Sequence, residues 1–138
     1  MANESTEING ILRENTSLGS GDVLTLIGNL QVAEDVTITV DAGAIIDLGG
    51  FELLNFGIIN LSGETGSFAL MRNGSYSTEN TEGMLSSSYG HISNLTIDGF
   101  FSDGSLLISD TYIENSSIDA LKQNTIKNSL FSNSPFDL

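Results

Sequence analysis

The 138-residue chain has no cysteine, one proline, one histidine and four basic residues against eighteen acidic ones. Without cysteine there is neither a disulfide framework nor a thiol nucleophile. With His91 as the single histidine, the usual zinc ligand sets are also out of reach. The basic residues are Arg13, Arg72, Lys122 and Lys127, and the formal net charge is −14. A surface of that sign repels phosphate, so neither a nucleic-acid partner nor an anionic membrane is expected. It favours solubility, cations and basic partner surfaces. Long apolar runs are missing too. The most apolar stretch, residues 43–61, contains Asp47, Glu52, Asn55 and Asn60 and is too polar to span a bilayer. The opening Met-Ala-Asn-Glu-Ser-Thr-Glu has no basic segment followed by an apolar one, so no secretory signal is expected in the sequence as written.

What is present is β-sheet pattern. Leu24-Thr-Leu26, Leu30-Gln-Val32 and Val36-Thr-Ile38-Thr-Val40 alternate with period two, and short turn elements such as Gly28-Asn29, Asp41-Ala-Gly43 and Gly49-Gly50 interrupt them. Ile45–Leu48, Phe51–Leu53 and Ile58–Leu61 continue the series. Amphipathic helical spacing is absent. Strands of three to five residues with turns this frequent do not suit a hairpin sandwich. They suit a solenoid, whose strands bend at each corner.

The last third carries one phrase three times. Ile92-Ser-Asn94-Leu-Thr-Ile97, Ile108-Ser-Asp110-Thr-Tyr-Ile113 and Ile126-Lys-Asn128-Ser-Leu-Phe131 each read apolar, any, Asn or Asp, any, any, apolar. A short β phrase at nearly constant spacing points to a coil that climbs by stacking on itself. On this reading Ile92, Ile108 and Ile126 form one inward column, with Ile97, Ile113 and Phe131 as the second inward position. Asn94, Asp110 and Asn128 stack at equivalent places, with a structural role.

The stretch from Val23 to Ser62 resembles the opening coils of right-handed parallel β-helix proteins, the pectin-lyase-like superfold. The likeness lies in Val-Thr-Ile-x-x-x-Ala-Gly-Ala-x-Ile, then Phe-x-Leu and Gly-x-Ile-x-Leu. The resemblance implies an all-β, right-handed solenoid of roughly five short coils. It specifies function poorly, because the superfold hosts lyases, hydrolases, adhesins and virus components. One domain is expected, with residues 1–21 as an extended polar arm bearing at most one helical turn near Glu7–Glu14. Residues 22–138 form the β-helix, with 63–90 as a long loop excursion or as two coils with large loops. Phe68–Met71 and Met84-Leu85 are candidate short strands inside that stretch.

The chemistry is sparse. Glycosidic hydrolysis needs two placed carboxylates, and the chain has no Asp-Asp pair. The resemblance suggests polysaccharide lyases that use Arg or Lys as base, yet Arg72, Lys122 and Lys127 are grouped with no acids at defined spacing. His91 is placed in the turn before a coil. No Asp-x-Asp-x-Asp-Gly loop, P-loop or Gly-x-Gly-x-x-Gly occurs. Asp98-Gly and Asp103-Gly104 read as turns before they read as ligands. Thr37-x-Thr39 occurs once, whereas an ice-binding face would need it on every coil. No catalytic residue, metal site or cofactor is expected.

Partner features are stronger. Phe100 and Phe101 sit at the tip of a loop bounded by Asp-Gly steps, where one or both pack inward or one stands out as an anchor. Phe136 is a third expected contact, near a last coil that Pro135 helps to blunt. The expectation is therefore a non-enzymatic structural protein of a virus particle: a capsid decoration or cement protein that forms a homotrimer on a basic shell. A cell-surface or secreted adhesin module and a fragment of a polysaccharide-degrading enzyme are the alternatives.

Overall fold

A computed structural model describes residues 5–78, 83–98, 104–119, 123–134 and 136–137. Among them there is no helix, and the chain is a parallel β-solenoid of about five turns. The first rung is β1 (Ser5–Leu12) and β2 (Thr16–Leu18). Turns then follow as β3 (Val23–Val32) with β4 (Thr37–Asp41); β5 (Ile45–Asp47), β6 (Glu52–Asn55) and β7 (Ile58–Ser62); and β8 (Ala69–Ser77) with β9 (Met84–Ser88). Next come β10 (Gly90–Asp98) with β11 (Ser105–Ser109), and β12 (Tyr112–Glu114), β13 (Ser117–Asp119) and β14 (Gln123–Lys127). A last rung is β15 (Leu130–Ser132) and β16 (Phe136–Asp137). One sheet stacks β1-β3-β5-β8-β10-β12-β15, with β6, β13 and β16 pairing beside that path; the second stacks β14-β11-β9-β7-β4-β2. Every strand pair is parallel.

Period-two alternation sends every second side chain inward. Inward columns build the core. Leu24, Ile46, Met71, Ile92 and Ile113 follow one another in register on the first face. Leu30, Leu53, Tyr76, Ile97 and Ile118 do so on the second, and Ile38, Ile59, Leu85 and Leu106 on the third. All of these side chains are buried. A further inward column runs Val40, Leu61, Ser87, Ile108 and Ile126. Each rung thus covers the apolar layer of the next, and no rung has a core by itself.

The bends depend on a local device. Asn73, Asn94, Asn115 and Asn133 lie at one corner, all with positive φ, and Tyr89, Asp110 and Asn128 lie at another, again with positive φ. Asn and Asp tolerate this left-handed conformation better than other non-glycine residues. The residue after several of these corners is Ser or Thr. Its hydroxyl donates to the carbonyl two residues back: Thr111 to Ser109 (2.8 Å), Ser116 to Glu114 (2.9 Å), Ser129 to Lys127 (2.9 Å) and Ser134 to Ser132 (2.8 Å). The same oxygen accepts a backbone N–H from the preceding rung. Leu95 N–H bonds Ser116 Oγ (3.1 Å), Thr111 N–H bonds Ser129 Oγ (3.3 Å) and Ser116 N–H bonds Ser134 Oγ (3.2 Å). The bend removes that N–H from the strand ladder, and a buried unpaired N–H is costly. The third corner is closed by glycine. A Cβ on Gly57 would lie 2.1 Å from the Val36 carbonyl oxygen, and one on Gly83 would lie 2.0 Å from that of Asn55.

Three sequence expectations are corrected. Residues 5–18 are the first rung and not a separate arm: Ser5–Leu12 pairs in parallel with β3, and the Glu7–Glu14 region is extended. Only Ile8 and Leu12 of β1 need to face the core, so the strand hides in polar composition. Residues 63–90 are not one excursion. They contain a tight turn closed by an antiparallel bridge between Glu64 and Ser67, followed by the regular strands β8 and β9. Third, Ile92, Ile108 and Ile126 do not share a column. Ile108 pairs with Ile126 in the second sheet, whereas Ile92 pairs with Ile113, and Ile113 with Phe131, in the first. Asn94 likewise sits at a different corner from Asp110 and Asn128. Its amide donates to Asn73 Oδ1 (3.4 Å), and Asn133 donates to Asn115 Oδ1 (3.4 Å), so a partial amide ladder runs up that corner. Ile92, Ile97, Ile108 and Ile113 are buried, and Ile126 and Phe131 pack against the core from partly buried positions.

Ser116→Ala removes the only acceptor described for the Leu95 N–H at a buried corner. We expect it to cost about 1–3 kcal/mol in a urea unfolding titration, with Ser17→Ala, on the exposed side of β2, near neutral.

Candidate interaction surface

Outward positions on a solenoid normally carry polar side chains. On the third face they do so: Ser17, Thr39, Asn60, Ser86 and Thr125 follow one another in register, with Leu107 the one apolar member of the column. The first face differs. Its outward column runs Val23, Ile45, Leu70, His91, Tyr112 and Leu130, one residue per rung. Most are half-buried by their column neighbours, whereas Leu130 is 64% exposed. Phe68, just before β8, adds an exposed ring at the side of the column. The next outward column on the same face is polar and partly charged: Thr25, Asp47, Arg72, Ser93, Glu114 and Ser132.

Three rings stack within the apolar stripe. Phe68 meets His91 edge-on (centroids 6.2 Å apart, 65° between planes), and His91 meets Tyr112 at 5.1 Å and 32°. Glu114 holds the two lower rings, with Oε1 at 2.9 Å from His91 Nε2 and Oε2 accepting from the Tyr112 hydroxyl at 3.3 Å. His91 therefore lies in a strand, not in a turn, and is engaged by one carboxylate. Arg72 is also committed: its Nε lies 3.1 Å from Asp47 Oδ2, and the Asn73 amide donates to the same carboxylate. Among the described residues no group of three or more His, Cys, Asp or Glu could hold a metal ion. Lys127 lines a groove on the third face beside Ser88, Leu107 and Ser109, away from Arg72. Lys122 and the expected contacts Phe100 and Phe101 lie outside the described residues. Phe136 falls in β16, in register with Ile118.

A groove of about 510 Å³ opens where the stripe meets the Tyr89–Asp110–Asn128 corner. The 63–67 turn overhangs it through Thr65 and Gly66, and Phe68 and Leu130 flank it. Stripe and groove escape a reading built on phrases, yet a signal exists. Five of the six stripe residues lie two places after a left-handed position: Gly21-Asp-Val23, Gly43-Ala-Ile45, Tyr89-Gly-His91, Asp110-Thr-Tyr112 and Asn128-Ser-Leu130.

One buried polar cluster lies within the fold. Asn55 is fully buried; its amide donates to the Tyr76 hydroxyl (3.0 Å) and to the Met84 carbonyl (3.0 Å), and its Oδ1 accepts from Gly57 N–H (2.9 Å). These bonds tie two successive turns together at the glycine corner. Burial pushes the Tyr76 hydroxyl well above the ordinary phenol range, and the Asn55 bond offsets this only in part. No family model, curated protein or solved structure matches the chain. The class is therefore defined by the fold alone: a parallel β-helix repeat protein.

Because folding raises the Tyr76 proton affinity, its contribution to stability is complete below the phenol's unfolded range and is lost as pH rises above about 10. Stability measured from pH 8 to 11 should fall on the alkaline limb. Tyr76→Phe should flatten that limb and cost about 1–2 kcal/mol at neutral pH through the Asn55 amide. An identical limb in the variant would assign the effect to other groups.

Proposed function

We propose that this chain is a non-enzymatic structural protein, a decoration or cement protein of a virus capsid, and that it assembles side by side as a homotrimer. The observation that carries this reading is the apolar stripe Val23–Ile45–Leu70–His91–Tyr112–Leu130, which runs rung by rung along one face. Successive strands are about 4.8 Å apart, so six rungs give a straight apolar edge of roughly 24 Å. Three such edges meeting about an axis parallel to the solenoid would keep rung beside rung in a closed, symmetric contact. Burying a large apolar side chain fully is worth about 1.5–3 kcal/mol, so a few of these positions suffice to hold a trimer. The net charge of −14 keeps the remaining surface soluble and suits attachment to a basic shell.

Light scattering and sedimentation at micromolar concentration should give three times the 14.6 kDa chain mass. Leu70→Glu, which sets a charge in the middle of the stripe, should give monomers with an unchanged far-ultraviolet spectrum. A wild-type chain that stays monomeric through the same concentrations would contradict the reading.

A further inference from the structure

The groove at the Tyr89–Asp110–Asn128 corner shares Phe68, Tyr112 and Leu130 with the stripe and adds Tyr89 and two polar side chains, Asp110 and Asn128. Phe68, Tyr89 and Tyr112 bring three aromatic rings to it, and Asp110 brings one carboxylate. Among the described residues no basic one lines it; Lys127 precedes Asn128 in sequence but lines the groove on the other sheet. The Asp110 carboxylate and the Asn128 amide make no hydrogen bond among the described residues. They differ in this from the carboxylates of Asp47 and Glu114, which are taken up by Arg72 and His91. The corner itself requires only a residue that tolerates positive φ, and Asn serves at the next rung, so a carboxylate at Asp110 exceeds what the bend needs.

Aromatic faces carry negative potential and attract a cation, and an unpaired carboxylate beside them fixes its position. The chain's acidity adds to the attraction. The space is too large for a bare ion and matches a side chain with the backbone that carries it. Guanidinium fits better than ammonium: it is planar, is less strongly hydrated, stacks on rings and can offer two N–H groups to one carboxylate.

We propose that this groove binds an arginine side chain presented by a segment of a partner protein. For the partner's identity, a basic shell, the inference rests on the assembly reading above; the groove's chemistry does not depend on it. Asp110 would accept from the guanidinium, Tyr112 and Phe68 would supply the ring faces, and the Asn128 amide would bond the segment's backbone.

The test uses the full chain and two capped pentapeptides, Gly-Arg-Gly-Arg-Gly and the same peptide with citrulline replacing both arginines, with the corresponding lysine peptide as a third probe. Citrulline keeps the shape and removes the charge. Nuclear magnetic resonance titration should show the arginine peptide shifting the Phe68, Tyr89 and Tyr112 ring signals and the Thr111 amide, at least about ten-fold tighter than the citrulline peptide. Binding should weaken as salt is raised. Asp110→Asn keeps a residue suited to the left-handed corner, so the fold should persist while arginine affinity falls roughly ten-fold. Tyr112→Leu should weaken binding of the arginine peptide alone. Equal binding of the two peptides, no binding of either, or shifts confined to another face would overturn the proposal. A lysine peptide binding as tightly as the arginine peptide would overturn the choice of guanidinium. A monomeric protein that still discriminates the peptides would contradict the trimer and leave the groove standing; a trimer that ignores them would do the reverse.

Discussion

Everything in this chain depends on the backbone hydrogen bonds that one turn lends to the next. Among the described residues no strand is paired with a hairpin neighbour; the strand N–H and C=O groups find their backbone partners about one turn away in sequence. Such bonds hold only if the turns stay in register, and register is decided at the corners. There the ladder is broken, a left-handed residue redirects the chain, and a hydroxyl or a glycine repairs the break. The Ser116 oxygen illustrates the economy of the device, since it donates to Glu114 within its own turn and accepts from Leu95 in the turn before. The glycine corner achieves the same closeness by omission, because a methyl group at Gly57 or Gly83 would collide with a carbonyl of the preceding turn.

This logic explains how the apolar face arises. With corners fixing the register, every outward position becomes a column, and the character of a column is set by one residue per turn. On the third face those residues are chiefly Ser, Thr and Asn. On the first, one column is aliphatic or aromatic, and a stripe results beside a polar column. Adjacent polar groups are engaged within the chain, Arg72 by Asp47 and His91 by Glu114. Thr65 and Gly66 of the 63–67 turn line the groove at the corner edge of this stripe.

Much of the architecture is legible in the sequence, and what is not legible has a physical reason. Short alternating strands, frequent turns and the recurring Asn or Asp phrase lead to the parallel solenoid. The phrase, however, is the signature of a corner, and a turn contains more than one. Ile113-Glu-Asn115-Ser-Ser-Ile118 and Met71-Arg-Asn73-Gly-Ser-Tyr76 carry it as well. Taking the phrase as one per turn places Ile92 in a column with Ile108, whereas its partners are Met71 and Ile113. The first rung is overlooked because an edge rung needs few apolar residues, and Ile8 and Leu12 suffice. The 63–90 segment reads as an excursion or as two loose coils, with only the starts of β8 and β9 marked as strand, because its turn residues Gly63-Glu-Thr-Gly66 are conspicuous while β9 is written largely in serine. Ser87 of that strand even occupies an inward position, where it bonds the Thr111 hydroxyl at 2.8 Å. The stripe is invisible until the corners are aligned, since its members lie about twenty residues apart and only register brings them together.

The most direct test of this account is a pair of engineered cysteines in the cysteine-free chain. Leu107 and Thr125 are outward neighbours in register on β11 and β14. Strands in a sheet are about 4.8 Å apart, within the range that a disulfide spans. Leu107→Cys with Thr125→Cys should therefore close an intramolecular disulfide under mild oxidation without loss of fold. Leu107→Cys with Ser93→Cys, which lies on another face, should not. If the second pair closes as readily as the first, or the first fails in a folded chain, the parallel rungs described above are wrong.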